Sequence, residues 1–325
     1  MDVFVTGSLE GLLKLLGDTN SGAEARGALA RSPFPAMLRV FGVPSSRGTN
    51  CIRAVQKGLP LEGGTENERS LVRYLVRLWT SRTELRPFLS ELARSQSELL
   101  RPAADQAEEY LPRKGLVQHA RIVLLPLKYD ARVDASTVYL DPLLALRVGR
   151  DGVRRLLAHE LHHVARYALT RQNLSGMPSP RRRLPVRWER RVRLWVSYME
   201  MEGIADRVFD LTTFRLAVHR RMRAERARIT RRAPAELQRC QNIFLSAKRR
   251  GSVGRRSPEV RSEEPFSEVH PLGAYIAGRI QEAVGTAGLA RLVGRPGAFI
   301  RAYQLASADS GGFLFNDAMV AAVGR

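Results

Sequence analysis

Apolar residues recur at helical spacing through most of this chain, and the breaks in that rhythm mark its organisation. Leu9, Leu12, Leu13 and Leu16 alternate with Glu10 and Lys14 in a short amphipathic stretch. Pro33, Pro35, Pro44 and Gly48 then interrupt the pattern, and residues 1–64 read as an N-terminal extension of undetermined role. Thr65 followed by Glu68 has the form of a capping box, in which each residue satisfies a backbone N–H of the other at a helix start. Leu71, Leu75, Leu78 and Trp79 continue at helical spacing, then Leu85, Phe88, Leu89, Leu92 and Leu99. The segment 65–112 is therefore a helical pair, or one long helix broken near Pro87.

Near residue 120 the pattern changes. Ile122–Leu125, closed by Pro126, and Thr137–Leu140, closed by Asp141-Pro142, are compact apolar runs of strand length. A helix follows, with Asp151 as its N-cap and Val153, Leu156, Leu157, Leu161 and Val164 along it. Pro178, Pro180 and Pro185 with Arg181-Arg182-Arg183 make 171–191 a basic, exposed loop. An apolar helix runs from about Val192 to Phe209, with further helical sequence through Phe214 and from Leu237 to Phe244. Residues 247–265 are polar, charged and rich in breakers, which predicts a mobile linker. The tail predicts helices near 271–284, 286–293 and 296–305, with a fourth near 315–323. The fold class is α+β and mostly helical, with 113–325 as the principal domain.

With 325 residues, 44% of them hydrophobic, the chain can bury a sizeable core. The formal net charge of +21 comes almost wholly from arginine, since the lysines are only Lys14, Lys57, Lys114, Lys128 and Lys248. Such a charge suits an acidic partner or nucleic acid, but no nucleic-acid module with interleaved aromatics accompanies it, and a solvated basic surface accounts for it more simply. Two distant cysteines, Cys51 and Cys240, exclude a zinc ribbon and a disulfide framework, and are expected as free thiols. The N-terminus lacks the form of a signal peptide, and no apolar run is long enough to span a bilayer; the expected location is cytoplasmic.

The chemistry lies in Ala158-His159-Glu160-Leu161-His162-His163. His159 and His163, at i and i+4 of a helix, share one face and can grip one metal ion. Glu160 can reach a water on that ion and take its proton. A catalytic zinc needs a third protein ligand, and Met199-Glu200-Met201-Glu202-Gly203-Ile204-Ala205-Asp206 supplies one: Glu202, with Asp206 a turn on and able to hydrogen-bond a ligand histidine. Gly203 and Ala205 are small enough to let this helix approach the metal helix. Glu200 is a rival ligand without a following Asp at that spacing, and a solvated acidic face is the plain alternative for Glu202 and Asp206. His162, off the His159–His163 axis, reads as packing or support; His119 and His219 read as structural or surface residues, and Met199 and Met201 as core.

These motifs resemble the gluzincin class of zinc metallopeptidases, in which the third ligand is a Glu followed four residues later by an Asp. The chain is especially similar to bacterial zinc-dependent proteases with His-Glu-x-His-His and Glu-Gly-x-Ala motifs, over about residues 120–305; His270-Pro271-Leu272-Gly273-Ala274-Tyr275 and Phe299-Ile300-Arg301-Ala302-Tyr303 fit their C-terminal motifs more weakly. The 39 positions from His163 to Glu202 exceed the gap in thermolysin, and the 171–191 loop accounts for the excess. The resemblance implies a zincin-like metallopeptidase fold with a small sheet and a C-terminal helical subdomain. It also implies Zn²⁺ held by His159, His163 and Glu202, Glu160 as general base, a peptide or protein substrate, and a second donor to the oxyanion. His270 is the first choice for that donor, with Tyr275 and Tyr198 as alternatives. The competing function is a nucleic-acid-associated basic protein with a structural zinc; the lack of a cysteine near the motif counts against it.

Overall fold

A computed structural model describes residues 2–5, 7–17, 34–170, 188–210, 213–214, 220–249, 268–308 and 311–324. The 247–265 linker and the 171–191 loop fall mostly outside the described residues, as does His219. The architecture is mostly helical with one small sheet, as the α+β expectation has it. No helix among the described residues is long and apolar enough to cross a membrane. The chain divides into two compact units: residues 1–101 with 119–154, and 102–118 with 155–325.

The first unit begins with β1 (Asp2–Val5), α1 (Gly7–Gly17), α2 (Phe34–Phe41), α3 (Ser45–Lys57), α4 (Glu66–Thr80) and α5 (Arg82–Arg94). It includes the start of α6 (Gln96–Glu108), the strands β2 (Arg121–Leu124), β3 (Ala131–Asp134) and β4 (Thr137–Leu140), and the start of α7 (Pro142–Thr170). Leu12, Leu13, Met37, Phe41, Leu71, Leu75, Leu78 and Leu85 are buried in its core. The capping box is present: Glu68 N–H donates to Thr65 Oγ1 at 3.3 Å and Thr65 N–H to Glu68 Oε2 at 2.6 Å. The breaks fall at Ser81 and Ser95, and Pro87 lies inside α5, so the segment 65–112 holds three helices and not the pair, or the one helix broken at Pro87, that its pattern suggested. A proline there removes one helical hydrogen bond without ending the helix.

The four-stranded sheet has the order β1-β2-β4-β3, with β1 and β4 both parallel to β2 and β3 antiparallel to β4. β1 and β3 were not among the strands expected from the sequence; β3 alternates apolar and charged residues (Ala-Arg-Val-Asp) over only four positions and pairs at the edge. Asp141 ties this unit together. Its Oδ1 accepts from Leu144 N–H at 2.9 Å, which makes it the N-cap of α7, with Pro142 in the first helical position. Its Oδ2 accepts from Tyr74 O–H at 2.7 Å and from Leu127 N–H at 2.7 Å. Thus α7 starts nine residues before Asp151, and Gly149 (φ 68°) interrupts it in a backbone conformation that favours glycine.

The second unit holds the end of α6, the rest of α7, then α8 (Trp188–Val208), α9 (Arg220–Arg231), α10 (Ala233–Arg249), α11 (Val269–Ala290), α12 (Pro296–Ala308) and α13 (Asp317–Gly324). The tail forms these last three helices, and Gly285 (φ 71°) kinks α11 between the first two segments expected there. α8 is its central helix: Val192, Trp195, Val196, Met199, Glu200, Gly203, Ile204, Ala205 and Asp206 are all buried, on more than one face. Trp195 packs on Phe244 of α10 and on Phe315, with ring centroids 5.2 and 6.1 Å away. α8 meets α11 at a pair of glycines. A Cβ on Gly203 would lie 2.3 Å from the Gly273 carbonyl, and a Cβ on Gly273 would lie 2.3 Å from the Met199 carbonyl oxygen. The small size of Gly203 thus serves the approach of α11.

Candidate metal centre

Every group of the candidate site belongs to the second unit. α7 carries His159 and His163 one turn apart, and their Nε2 atoms lie 3.1 Å from each other. From α8, Glu202 Oε2 approaches His163 Nε2 to 3.4 Å and His159 Nε2 to 4.0 Å. Among the described residues these three side chains form the one group of His, Cys, Asp or Glu able to share a metal ion, with ligand atoms within 4.8 Å of one another. Bonds of 2.0–2.1 Å in tetrahedral geometry separate ligand atoms by about 3.3 Å. The observed separations bracket that value, so the residues fit a zinc-sized cation. His119 is exposed in the first unit and takes no part.

The surroundings fix the ligand forms. His159 Nδ1 lies 2.9 Å from the Phe209 carbonyl oxygen, so that nitrogen carries the proton and Nε2 presents its lone pair to the site. Burial and then the neighbouring His163 push the His159 pKa down to about 4, leaving it neutral. Burial also works to lower the His163 pKa, but the Glu202 carboxylate outweighs it and the net shift is upward. For Glu202, burial works upward and is outweighed by His270 and His163, which hold the carboxyl well below its usual range.

Asp206 lies one turn after Glu202, and its Oδ1 is 3.9 Å from His159 Nδ1, too far for the hydrogen bond expected of it; the Phe209 carbonyl takes that role. Its Oδ2 accepts from Arg226 Nη2 of α9 at 2.8 Å and lies 3.6 Å from His270 Nδ1. His270, at the start of α11, is also 3.4 Å from Glu202 Oε2. The structure thus brings His270 beside the ligand carboxylate, with 46% of its side chain still open to solvent. Burial works to lower its pKa, but Glu202 and Asp206 outweigh it and raise it to about 9, so the ring is charged at neutral pH.

Glu160 is buried beside the pair, and its charge acts on His163. The rival Glu200 is fully buried but bound elsewhere, by Arg166. Tyr198 lies a turn before Glu202, whose charge together with burial raises its pKa. Tyr275 instead stacks edge-on against Tyr303, centroids 6.3 Å apart. His162 is buried with no well-directed hydrogen bond to either ring nitrogen among the described residues, and burial drives its pKa far down. It packs as a neutral ring. Sequence reasoning missed the Phe209 carbonyl, which carries no side-chain signal, and Arg226, one of many arginines in α9. Asp210, four residues after Asp206 and 3.4 Å from Arg226 Nη1, was the available hint of a cation there.

Two helix-borne imidazoles and a carboxylate thus converge within reach of one metal ion, and His159 turns its proton away from that point. A family described as "Putative zinc dependent peptidase (DUF5700)" matches residues 45–310, and the chain belongs to that family. No curated protein and no solved structure matches it significantly.

Proposed function

We propose that this chain is a zinc peptidase of zincin-like fold that hydrolyses peptide bonds with Glu160 as general base. The observation that carries the reading is the convergence of His159 Nε2, His163 Nε2 and Glu202 Oε2. These residues would hold Zn²⁺, which when bound polarises a carbonyl and acidifies water. Three protein ligands leave a position for that water, whereas a purely structural site needs four; the nucleic-acid reading therefore gains no support from the site.

Within this reading Glu160 takes the proton of the attacking water and delivers it to the leaving amine, so that neither strong acid nor strong base is needed from solution. His270 is a positioned cation. Its Nδ1 faces the Asp206 and Glu202 carboxylates. Its other N–H is the donor offered to the oxygen that gains charge as the peptide carbonyl is attacked. Asp206, anchored by Arg226, sets the orientation of that ring.

The test is metal analysis and peptide hydrolysis by wild type, Glu160→Gln and Glu202→Ala. Glu160→Gln is expected to keep zinc and lose at least about 100-fold in kcat, the scale of a general-base contribution. Glu202→Ala is expected to lose metal. Equal zinc content in wild type and Glu202→Ala would discredit the ligand set.

A further inference from the structure

Arg166 and Glu200 form a fully buried ion pair outside the ligand set, with side chains 2% and 0% exposed. Arg166 Nε donates to Glu200 Oε1 and Oε2 at 3.1 and 3.0 Å, and Nη2 donates to Oε2 at 2.5 Å. Gly294 N–H, in the turn between α11 and α12, donates to Oε1 at 2.9 Å. The carboxylate is thus saturated by a guanidinium fork and a backbone amide, the condition under which a buried pair holds a defined geometry. The mechanism above makes no use of it.

Its place in the two helices suggests its task. On α7, His159, His163 and Arg166 stand at i, i+4 and i+7, one stripe on one face. On α8, Glu200 and Glu202 are two residues apart, so they leave the helix about 200° from each other around its axis. One stripe of α7 therefore holds α8 by both flanks, through His163–Glu202 on one side and Arg166–Glu200 on the other. A rotation or slide of α8 that carries Glu202 off the imidazoles must also pull Glu200 from Arg166. A single contact would leave rotation free; two on opposite flanks remove it.

We propose that Arg166 and Glu200 are positioning residues, a clamp that sets the rotation of α8 so that Glu202 completes the metal centre. This rests on the metal-site reading above, and the readouts are chosen to be independent of hydrolysis. Zinc affinity by chelator competition, and the visible spectrum of the cobalt(II)-substituted protein, are measured for wild type, Arg166→Lys and the double variant Arg166→Met/Glu200→Met.

The double variant replaces the pair by apolar groups of similar length, a change that a merely structural pair tolerates. Here it is expected to keep its thermal midpoint near that of wild type, while zinc affinity falls about 10–100-fold, the usual scale for groups that orient ligands, and the cobalt spectrum changes. Arg166→Lys keeps the charges but not the fork. It folds without leaving a buried charge unpaired, and is expected to lose zinc affinity in the same direction. Wild-type affinity and an unchanged cobalt spectrum in either folded variant would overturn the clamp. If wild type binds zinc and cleaves no peptide, the peptidase reading fails while the clamp is still decided by these variants; a wild type that binds no metal overturns both.

Discussion

Gly203→Ala is the sharpest test of how the helices bring the site together. The added Cβ would stand 2.3 Å from the carbonyl carbon and oxygen of Gly273, and both are main-chain atoms of α11 that cannot swing aside. An ordinary carbon–oxygen contact needs about 3.4 Å, so the two helices must part by about 1 Å or distort. Overpacking of this kind costs about 1–3 kcal/mol. The displacement falls where it matters most, because Glu202 is the neighbour of Gly203, and His270 lies one turn before Gly273. A metal centre tolerates about 0.2 Å in its ligand distances, so a shift near 1 Å is expected to lower zinc affinity at least about 10-fold as well. Urea denaturation at constant m-value measures the first effect and chelator competition the second. Gly278→Ala is the control: it lies on α11, the partner helix in this contact, its Cβ would meet nothing closer than Arg207 Nη1 at 3.8 Å, and the gain in helix propensity should leave stability unchanged or raise it by up to about 1 kcal/mol. A Gly203→Ala protein as stable and as tight for zinc as wild type, or a Gly278→Ala protein as damaged as Gly203→Ala, would refute the argument.

Two further outcomes follow from buried groups. Tyr74→Phe removes a donor from buried Asp141 and is expected to cost about 1–3 kcal/mol. It also has a pH signature: burial, with Asp141 beside it, holds the Tyr74 pKa well above 10, so its contribution is complete below pH 10 and is lost as pH rises toward the folded-state value. Above pH 10 the stability of wild type should therefore fall more steeply than that of the variant, by up to about 1.4 kcal/mol per pH unit, and parallel curves would remove Tyr74 from the account. Cys51 and Cys240 are both buried, and burial pushes the first thiol up to about 11 and the second higher still. Both should resist a thiol-specific reagent in native buffer and react in urea; rapid labelling of either in the native protein would contradict their placement.

What could be read from the chain was whatever depends on near neighbours in sequence. The Thr65–Glu68 capping box, the imidazoles at i and i+4, and the tail helices all come from local spacing, and the structure contains each of them. β1 and β3 were missed because each is only four residues long, too short for its pattern to stand out, and each is held by pairing with β2 or β4. Asp141 was read as the end of a strand, yet it also starts α7, because its partners Tyr74, Leu127 and Leu144 come from three separate segments. In the sequence Gly273 stands only within the weak His270–Tyr275 motif. The reason for a glycine there is the backbone of Met199, and no local pattern announces that.

Glu200 and Glu202 show where local reading stops and environment takes over. They are the same residue type, two positions apart on one helix, and both are shielded from water. A buried carboxylate must be neutralised, and what neutralises it decides its chemistry. Arg166 delivers a permanent cation in a planar fork, which saturates Glu200 and leaves it no lone pair directed at an ion. Glu202 instead faces His159 and His163, bases that can be neutral, together with the solvent-open ring of His270. The His270 cation offsets the charge of Glu202 from one side, while the imidazoles of His159 and His163 set ring nitrogens beside it, so that the three side chains can share a metal ion. The Asp four residues after Glu202 favoured that residue from the sequence; the physical ground for proposing it over Glu200 lies on α7, where one turn of helix separates His163, which leaves room for a metal, from Arg166, which fills that room for Glu200.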